Sequence, residues 1–496
     1  MSFRDRLTDK ILLFDGSKGF LIMQKGLAPG DIPDAWNLVN ADAVYDIHKT
    51  YVDAGSDIIQ TNTLQSSRYH LEARGLYDRL AAINSAGVAL AKKAAGGKAM
   101  TAASISPLGK VMAPFGDISY EEAYEAFFEQ IKVLLEAGVD ILHFETFTDL
   151  SELRIAAIAA KELCGKAPVI ATVSIENIGR TVMGDSADCA AVILSSLGVE
   201  CAGANCGLPP REMLSKFAPF SRFNAPLCSK PNAGAPTVSE GVVNYGATAE
   251  EFYETAFGFA RLGARLIGGC CGSGPEHIRM LKKAVDEMNA DRAYDYSNVF
   301  ADGGAASGQD DSVWLCTHNR KTVFLREELA AYANEARPMA SSDKSAMPGP
   351  PVYTESADGK ILTVDLSGMC CSGGDRIENG GALNDVIVDI LSAASDSEAE
   401  ATVFRLFAGG KGKSTGGEGK GARGEGKSAG EVLRAIAENA RANHNKPIIF
   451  HTDEAAGLND ALKRYCGVPA ILVEAAFEES VRAGVAGTKP AFVRIG

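Results

Sequence analysis

The sequence predicts an α/β protein, a (β/α)8 TIM barrel followed by a smaller C-terminal α/β domain. Three observations predict it. Eight short apolar runs begin at Ile11, Asp57, Met100, Asp140, Pro168, Ala202, Pro226 and Ala264. Between them lie longer stretches whose apolar residues recur every three or four positions and which close on glycine, as helices do. After about Asn289 the texture changes to Gly, Ser and Asp. Near-continuous apolar runs separated by amphipathic helices indicate parallel strands buried on both faces. An open doubly wound sheet competes, but no GxGxxG follows the first run, and eight units fit closure better.

In chain order, ILLFDG, DIIQTN, MTAASI, DILHFET, PVIATVSI, AGANC, PLCSKPN and ARLIGGCC read as the strands. ADAVYDIHKTYVDAG, YEEAYEAFFEQIKVLLEAG, SELRIAAIAAKELCG and AEEFYETAFGFARLG read as helices between them. The barrel is assigned to residues 1–292. A linker follows at residues 293–312 (AYDYSNVFADGGAASGQDDS), and the C-terminal domain occupies residues 313–496. Within that domain VWLCTHNRKTVFL reads as a hairpin around His318, Asn319 and Arg320, and RPMASSDKSAMPGPPVY as a second break. KILTVDLSG, ATVFRLF, KPIIFHTD and PAILVEAA then alternate with helical patterns, and residues 409–430 form a flexible Gly/Lys-rich loop.

The chain has 496 residues, 46% apolar and 23% charged, the composition of an ordinary globular protein. A net charge of -14 disfavours nucleic acid as a partner. No uncharged apolar stretch reaches membrane-helix length, and the start MSFRDRLTDK lacks the pattern of a secretory signal. A cytoplasmic location is expected. Eleven cysteines, an odd number, read as thiols in a reducing compartment rather than as a disulfide scaffold.

Where three of those thiols fall is the strongest functional signal. Cys206 ends the sixth strand in GANCG, and Cys270 and Cys271 end the eighth in GGCCG. All strands of a barrel open on one face at their C-terminal ends, where active sites are built, so these sulfurs can converge. Three soft ligands suit Zn²⁺ with one coordination position left over, the pattern of a catalytic site. Gly268, Gly269 and Gly272 would let the neighbouring side chains turn toward one ion. A substrate thiol is the natural occupant of the vacant position, since a bound metal makes a thiol acidic. A closed structural zinc with a further ligand such as Cys228 is the alternative. Cys164, Cys189, Cys201, Cys228, Cys316 and Cys466, each alone in apolar surroundings, read as buried thiols.

Polar residues collect at the same face: Asp15 on the first strand, Thr61, Asn62 and Thr63 on the second, Ser104 and Ser106 on the third. Glu145 closes the fourth, and Lys230 and Asn232 the seventh. An amino-acid head group needs carboxylates for its ammonium and hydroxyl or amide donors for its carboxylate. Asp15, Thr61, Glu145 and Asn232 are therefore the candidate substrate contacts, with helix capping as the bland alternative.

DGSKG, GDIPDAWNL, AGSDIIQTNT, HFETFTDLSELR, GANCG, KPNAGAP and GGCCGSGPEHI, in this order and spacing, resemble the homocysteine S-methyltransferase family over about residues 8–290. That barrel occurs in cobalamin-dependent methionine synthase, in betaine-homocysteine methyltransferase and in S-methylmethionine enzymes. The resemblance implies zinc held by Cys206, Cys270 and Cys271, homocysteine as acceptor, and recognition of its amino-acid end by Asp15, Thr61 and Glu145. After TNT, however, this chain has Leu64, Gln65 and Ser66 instead of the Phe-Gly or aromatic residues usual in the family. Only Trp36 is evident for an aromatic cage, which disfavours betaine as donor. No cobalamin-ligating DxHxxG is present, so a methylcorrinoid donor would be carried by a separate protein; S-methylmethionine or another small methyl donor, or a different thiol acceptor, is the alternative.

The C-terminal domain holds two further motifs. GARGEGKS at Gly421 to Ser428 matches GxxxxGK[ST], yet the run ATVFRLF ends at Phe407, too far upstream for a P-loop. Cys370 and Cys371 repeat the strand-then-CC arrangement without a third ligand in view. His318, His444 and His451 lack partners at recognisable spacing. The expected function is zinc-dependent methyl transfer to homocysteine, giving methionine. From other classes, a non-catalytic zinc scaffold or an NTP-dependent partner of a corrinoid protein remains open.

Overall fold

In a computed structural model of the chain, the structure describes residues 3–291 apart from 29, 114, 165–166, 223–225, 236 and 240–241. Beyond them it describes residues 314–316, 322–324, 352–355, 361–365, 401–406, 429–443, 448–452, 455–464, 470–474 and 491–495. The chain divides into two compact units, Met1–Asp310 and Asp311–Gly496.

Eight parallel strands build the first unit: β1 (Leu12–Leu13), β2 (Ile58–Gln60), β3 (Met100–Ile105), β4 (Ile141–Phe147), β5 (Val169–Val173), β6 (Cys201–Asn205), β7 (Leu227–Lys230) and β10 (Ala264–Ile267). Their order is β1-β10-β7-β6-β5-β4-β3-β2. A parallel bridge between Phe14 and Ile58 joins the two ends, with Asp57 N donating to Leu13 O at 2.8 Å and Asp15 N to Ile58 O at 3.1 Å. The sheet therefore closes into a barrel, and each strand falls on one of the eight runs expected from the sequence.

Inside the barrel the period of two sorts the strand residues into layers. The lower layer is apolar: Leu12, Ile58, Ala102, Ile141, Ile170, Cys201, Cys228 and Leu266 form one buried cluster with Phe14. Two residues further along five of these strands, toward the C-terminal face, stand Gln60, Ser104, His143, Thr172 and Lys230, all buried. The core thus turns from apolar to polar within one step of the pleat, directly below the mouth.

The helix Phe3–Asp9 was not expected, because its charges mask the pattern. Its Phe3 and Leu7, four residues apart on one helical face, join the lower layer and close the bottom of the barrel. The hairpin β8 (Thr237–Ser239) and β9 (Val242–Asn244), inserted after β7, was likewise not read from the sequence. Among the expected helices, Tyr120–Glu136 starts with a capping box in which Ser119 and Glu122 bond each other's backbone.

On the helix Ala41–Asp53, His48 is fully buried and neither ring nitrogen has a hydrogen-bond partner. Burial, helped by the charge of Lys18, pushes its pKa down to about 3. A histidine whose folded pKa lies below its unfolded value of about 6.5 stabilises the fold above 6.5 and loses that contribution as pH falls toward 3. We expect His48→Leu to flatten the acid limb of a stability-against-pH curve by up to about 1.4 kcal/mol per pH unit in that window. Urea titrations at several pH values measure this, and parallel curves for variant and wild type would contradict it.

In the second unit, β13 (Val352–Glu355), β14 (Ile361–Asp365), β15 (Ala401–Leu406), β16 (Ile448–Thr452), β17 (Ala470–Glu474) and β18 (Ala491–Ile495) form one sheet in that order. Only β13 is antiparallel to its neighbour. The hairpin expected around residue 319 is present as β11 (Trp314–Cys316) paired with β12 (Thr322–Phe324). The four central runs expected as strands are β14 to β17. The edge strands β13 and β18 were not anticipated, the first because it directly follows Pro350 and Pro351, residues that signal a break. Residues 293–312, His318, Cys370, Cys371, 421–428 and His444 lie outside the described residues. Among the described residues no helix is long and apolar enough to cross a membrane.

Candidate metal centre

Cys206 directly follows β6, and Cys270 and Cys271 lie three and four residues past the end of β10. Strand closure brings these ends together. The three sulfurs lie within 4.8 Å of one another, the only such set of candidate metal ligands among the described residues, with Cys206 Sγ 3.7 Å from Cys271 Sγ. Backbone bonds fix them: Cys206 N donates to Lys230 O at 3.0 Å, Cys270 N to Pro231 O at 2.9 Å, and Ala233 N to Cys271 O at 2.8 Å. The loop after β7 is thus stitched to both cysteine segments.

Cys206 adopts φ +60°, a left-handed conformation rare for a residue with a side chain. It is held there by the bonds around it, and its side chain lies with the pair that follows β10. Gly272 has φ +76°, and a Cβ there would stand 2.1 Å from the Tyr245 ring, so this position requires glycine on both counts. Gly268 and Gly269 serve close approach instead, to Phe14 and Ser273 respectively.

Hydrogen bonds from Cys270 and Cys271 hold the Cys206 thiol down to about 3. By the same bonds Cys206 pushes Cys270 up to about 12 and Cys271 higher still. The trio therefore keeps one negative charge spread over three sulfurs, an arrangement that attracts a soft cation. Asn232 donates to Cys206, while its own buried Oδ1 has no hydrogen-bond partner.

Near the sulfurs lies a buried cluster of charged side chains. Asp15 is 0% exposed; its Oδ2 accepts from Gln60 N at 2.8 Å and from Lys18 Nζ at 3.4 Å, while Oδ1 faces Lys230 Nζ at 3.7 Å. Lys230, 1% exposed, donates to Gln60 Oε1 and stands 4.2 Å over the Phe14 ring. Burial opposes its charge, but Glu145 and Asp15 more than offset this and hold its pKa above the ordinary lysine value. Glu145 accepts through Oε1 from Gln60 Nε2 at 2.5 Å and from the Ser104 hydroxyl. Burial pushes the His143 ring down to about 3, against a smaller opposing pull from Glu145, so it is neutral.

Each residue singled out by sequence has a definite place. Asp15, Glu145 and Lys230 meet in this cluster, and Asn232 touches Cys206. The Thr61 hydroxyl is fully buried and already engaged, 2.6 Å from Thr63 Oγ1 and accepting from Ser104 N at 3.2 Å. Trp36 is almost fully buried, and Asn62 bonds Pro33 O and Asn37 within the adjoining loops. Cys189, Cys201 and Cys228 are buried thiols outside the trio.

Sequence reasoning missed Gln60, His143, Thr172 and Asn205. The available signal was a polar residue two positions after an apolar one on a strand buried on both faces. It also missed an aromatic pair at the rim: Tyr245 meets Phe20 edge-on at 5.4 Å, and its phenol is pushed up by burial and by the nearby sulfurs. Tyr245 lines a cavity of about 530 Å³ with Pro209, Arg211, Glu212, Gly234 and Glu251.

The profile of the homocysteine S-methyltransferase family matches residues 12–285, more than half of the chain. The chain belongs to the homocysteine S-methyltransferase family. Methionine synthase of Mycobacterium tuberculosis (strain ATCC 25618 / H37Rv) is 29% identical over 299 residues, 57% of this chain and 25% of that protein. Methionine synthase of Mycobacterium leprae (strain TN) is 27% identical over 303 residues, 58% of this chain and 25% of that protein. The chain therefore spans about a quarter of the length of these curated relatives. Among solved structures, the metallated homocysteine methyltransferase MmuM from Escherichia coli is 23% identical with a TM-score of 0.46, covering 55% of this chain and 96% of that one. In this homocysteine S-methyltransferase family member the matched segment begins at β1 and ends beyond the Cys270-Cys271 pair, so it takes in the whole candidate centre.

Proposed function

We propose that this chain transfers a methyl group to the thiol of homocysteine, forming methionine, with a zinc ion held by Cys206, Cys270 and Cys271. The observation that carries the reading is the meeting of these three sulfurs within 4.8 Å at the barrel mouth, inside the family-matched segment. Three soft donors sharing one negative charge fit Zn²⁺, and the unpartnered buried Oδ1 of Asn232 beside them supports a cation at that place. When bound, the ion would lower the pKa of a substrate thiol placed beside it and make it a nucleophile near neutral pH.

The remaining tasks fall to the chain. Asp15 and Glu145 against Lys18 and Lys230 sum formally to zero, so the cluster suits a zwitterionic amino-acid head group and disfavours a singly charged one. Glu145 would take the ammonium. Asn232 and Asp15 each keep a buried oxygen without a hydrogen-bond partner, and Thr61 would have to exchange a bond it already makes. Rigid strand ends orient the sulfur for in-line attack and exclude water from it.

The donor in this reading is a methylcorrinoid on a separate protein, and the setting is a reducing cytoplasm that keeps the thiols free. The barrel, residues 1–292, carries the chemistry in this reading, and residues 313–496 form the C-terminal α/β domain, to which no role is assigned. A methyl-transfer assay offering methylcobalamin, S-methylmethionine or betaine with homocysteine, with zinc measured on the same sample, tests it. Methionine formed from methylcobalamin is expected. Methionine from S-methylmethionine alone would overturn the corrinoid donor, and none from any donor would overturn the methyltransferase.

A further inference from the structure

A single hydrogen-bonded path runs through the barrel core from Lys230 to Cys270. Lys230 Nζ can only donate, and it donates to Gln60 Oε1, while the Glu145 carboxylate accepts from Gln60 Nε2. The Gln60 amide is thereby oriented from both sides. Its Nε2 also lies 3.1 Å from His143 Nδ1, which must accept, so the proton of the neutral ring sits on Nε2. His143 Nε2 then donates to Thr172 Oγ1 at 3.0 Å, and Thr172 gives its own proton to Asn205 Oδ1 at 2.6 Å. Thr146 N, another obligate donor, meets the same Oδ1 at 2.7 Å. Asn205 Nδ2 is left facing Thr146 Oγ1 at 2.7 Å and Cys270 Sγ at 3.6 Å.

Obligate donors and acceptors set the directions along the path, with Phe144 O a longer second acceptor for Thr172 Oγ1 at 3.5 Å, and the members from Lys230 to Asn205 are buried. We infer that Gln60, His143 and Thr172 are positioning residues that act through Asn205, aiming one amide N–H at the Cys270 sulfur and tying it to the buried charged cluster. Glu145 shares Gln60 Nε2 with the path, so the group proposed to receive the substrate's ammonium is joined to a metal-ligating sulfur by unbroken hydrogen bonds. Outer partners of this kind orient ligand atoms and set how strongly they hold a metal. A neutral, singly protonated imidazole in the middle passes the polarity in one direction only.

The inference rests on the zinc reading above, and its test separates the two. Thr172→Val keeps the side chain's shape and removes the hydroxyl, whereas Thr172→Ser keeps the hydroxyl and removes a methyl. Zn²⁺ affinity of the metal-stripped full chain is measured against a chromophoric chelator, and Co²⁺ loading reports the sulfur-to-metal charge-transfer band. Thr172→Val is expected to bind about 10- to 100-fold more weakly with a shifted band, and Thr172→Ser to stay near wild type. Equal binding by Thr172→Val, or equal weakening by Thr172→Ser, would overturn the path, because packing alone predicts that pattern. If the wild type holds no zinc, the metal reading fails and the metal-free arm still decides. There, iodoacetamide labelling at Cys270, read by mass spectrometry, should change about fivefold in Thr172→Val and not in Thr172→Ser. Identical labelling in both variants would overturn it.

Discussion

Cys271→Ala is expected to strip the chain of zinc and of methyl transfer while leaving the barrel folded. The reason lies in the division of labour around the centre. Cys271 sits in a turn beyond β10, outside the strand ladder, and its backbone bond to Ala233 survives the substitution. What disappears is one of three sulfurs that share a charge, leaving two ligands where a stable zinc site needs at least three from the protein. Zinc affinity should fall by more than about 100-fold, beyond the range of outer-shell changes. Unfolding of the metal-free protein should shift by less than about 1 kcal/mol, since the side chain is partly exposed and small. Cys189→Ala, which removes a thiol buried on a different element, should keep full zinc content. Metal analysis after gel filtration and denaturant titration provide both readouts; zinc retained at wild-type stoichiometry in Cys271→Ala would remove the basis of the mechanism.

The barrel was legible because a strand buried on both faces must be apolar throughout, and its helices must show one apolar stripe. Eight runs carried that signature from Ile11 to Ala264, and all eight became strands. The cysteines were legible because fold and position act together: Cys206 and Cys270 are 64 residues apart, yet closure brings any two strand ends to one rim. The buried polar layer was not. Gln60 and His143 stand in otherwise apolar runs, where one polar residue resembles an ordinary core position until the neighbouring strands are seen to offer partners at the same level. Phe3 and Leu7 were hidden by the charges between them, and Tyr245 by its place after an inserted hairpin. In each case the missing information is a contact between distant segments, which no local period encodes.

Lys230→Met should be the most destabilising single change in the barrel. The ammonium is buried among Asp15, Glu145 and Gln60, and none of the three can turn to water when it is removed. Lys18 still touches Asp15 Oδ2, but Glu145 keeps only Gln60 and Ser104 as donors, and Gln60 Oε1 loses its partner. Removing one side of such a buried pair costs about 3–5 kcal/mol, most of it the uncompensated carboxylate. The double variant Lys230→Met/Glu145→Gln should recover part of the loss at pH 7, because the stranded charge is gone and the amide can still meet its neighbours. Urea unfolding of the metal-free single and double variants at pH 7 measures each step. A loss below about 1 kcal/mol, or no recovery in the double variant, would mean that the lysine is not the counter-charge of these carboxylates.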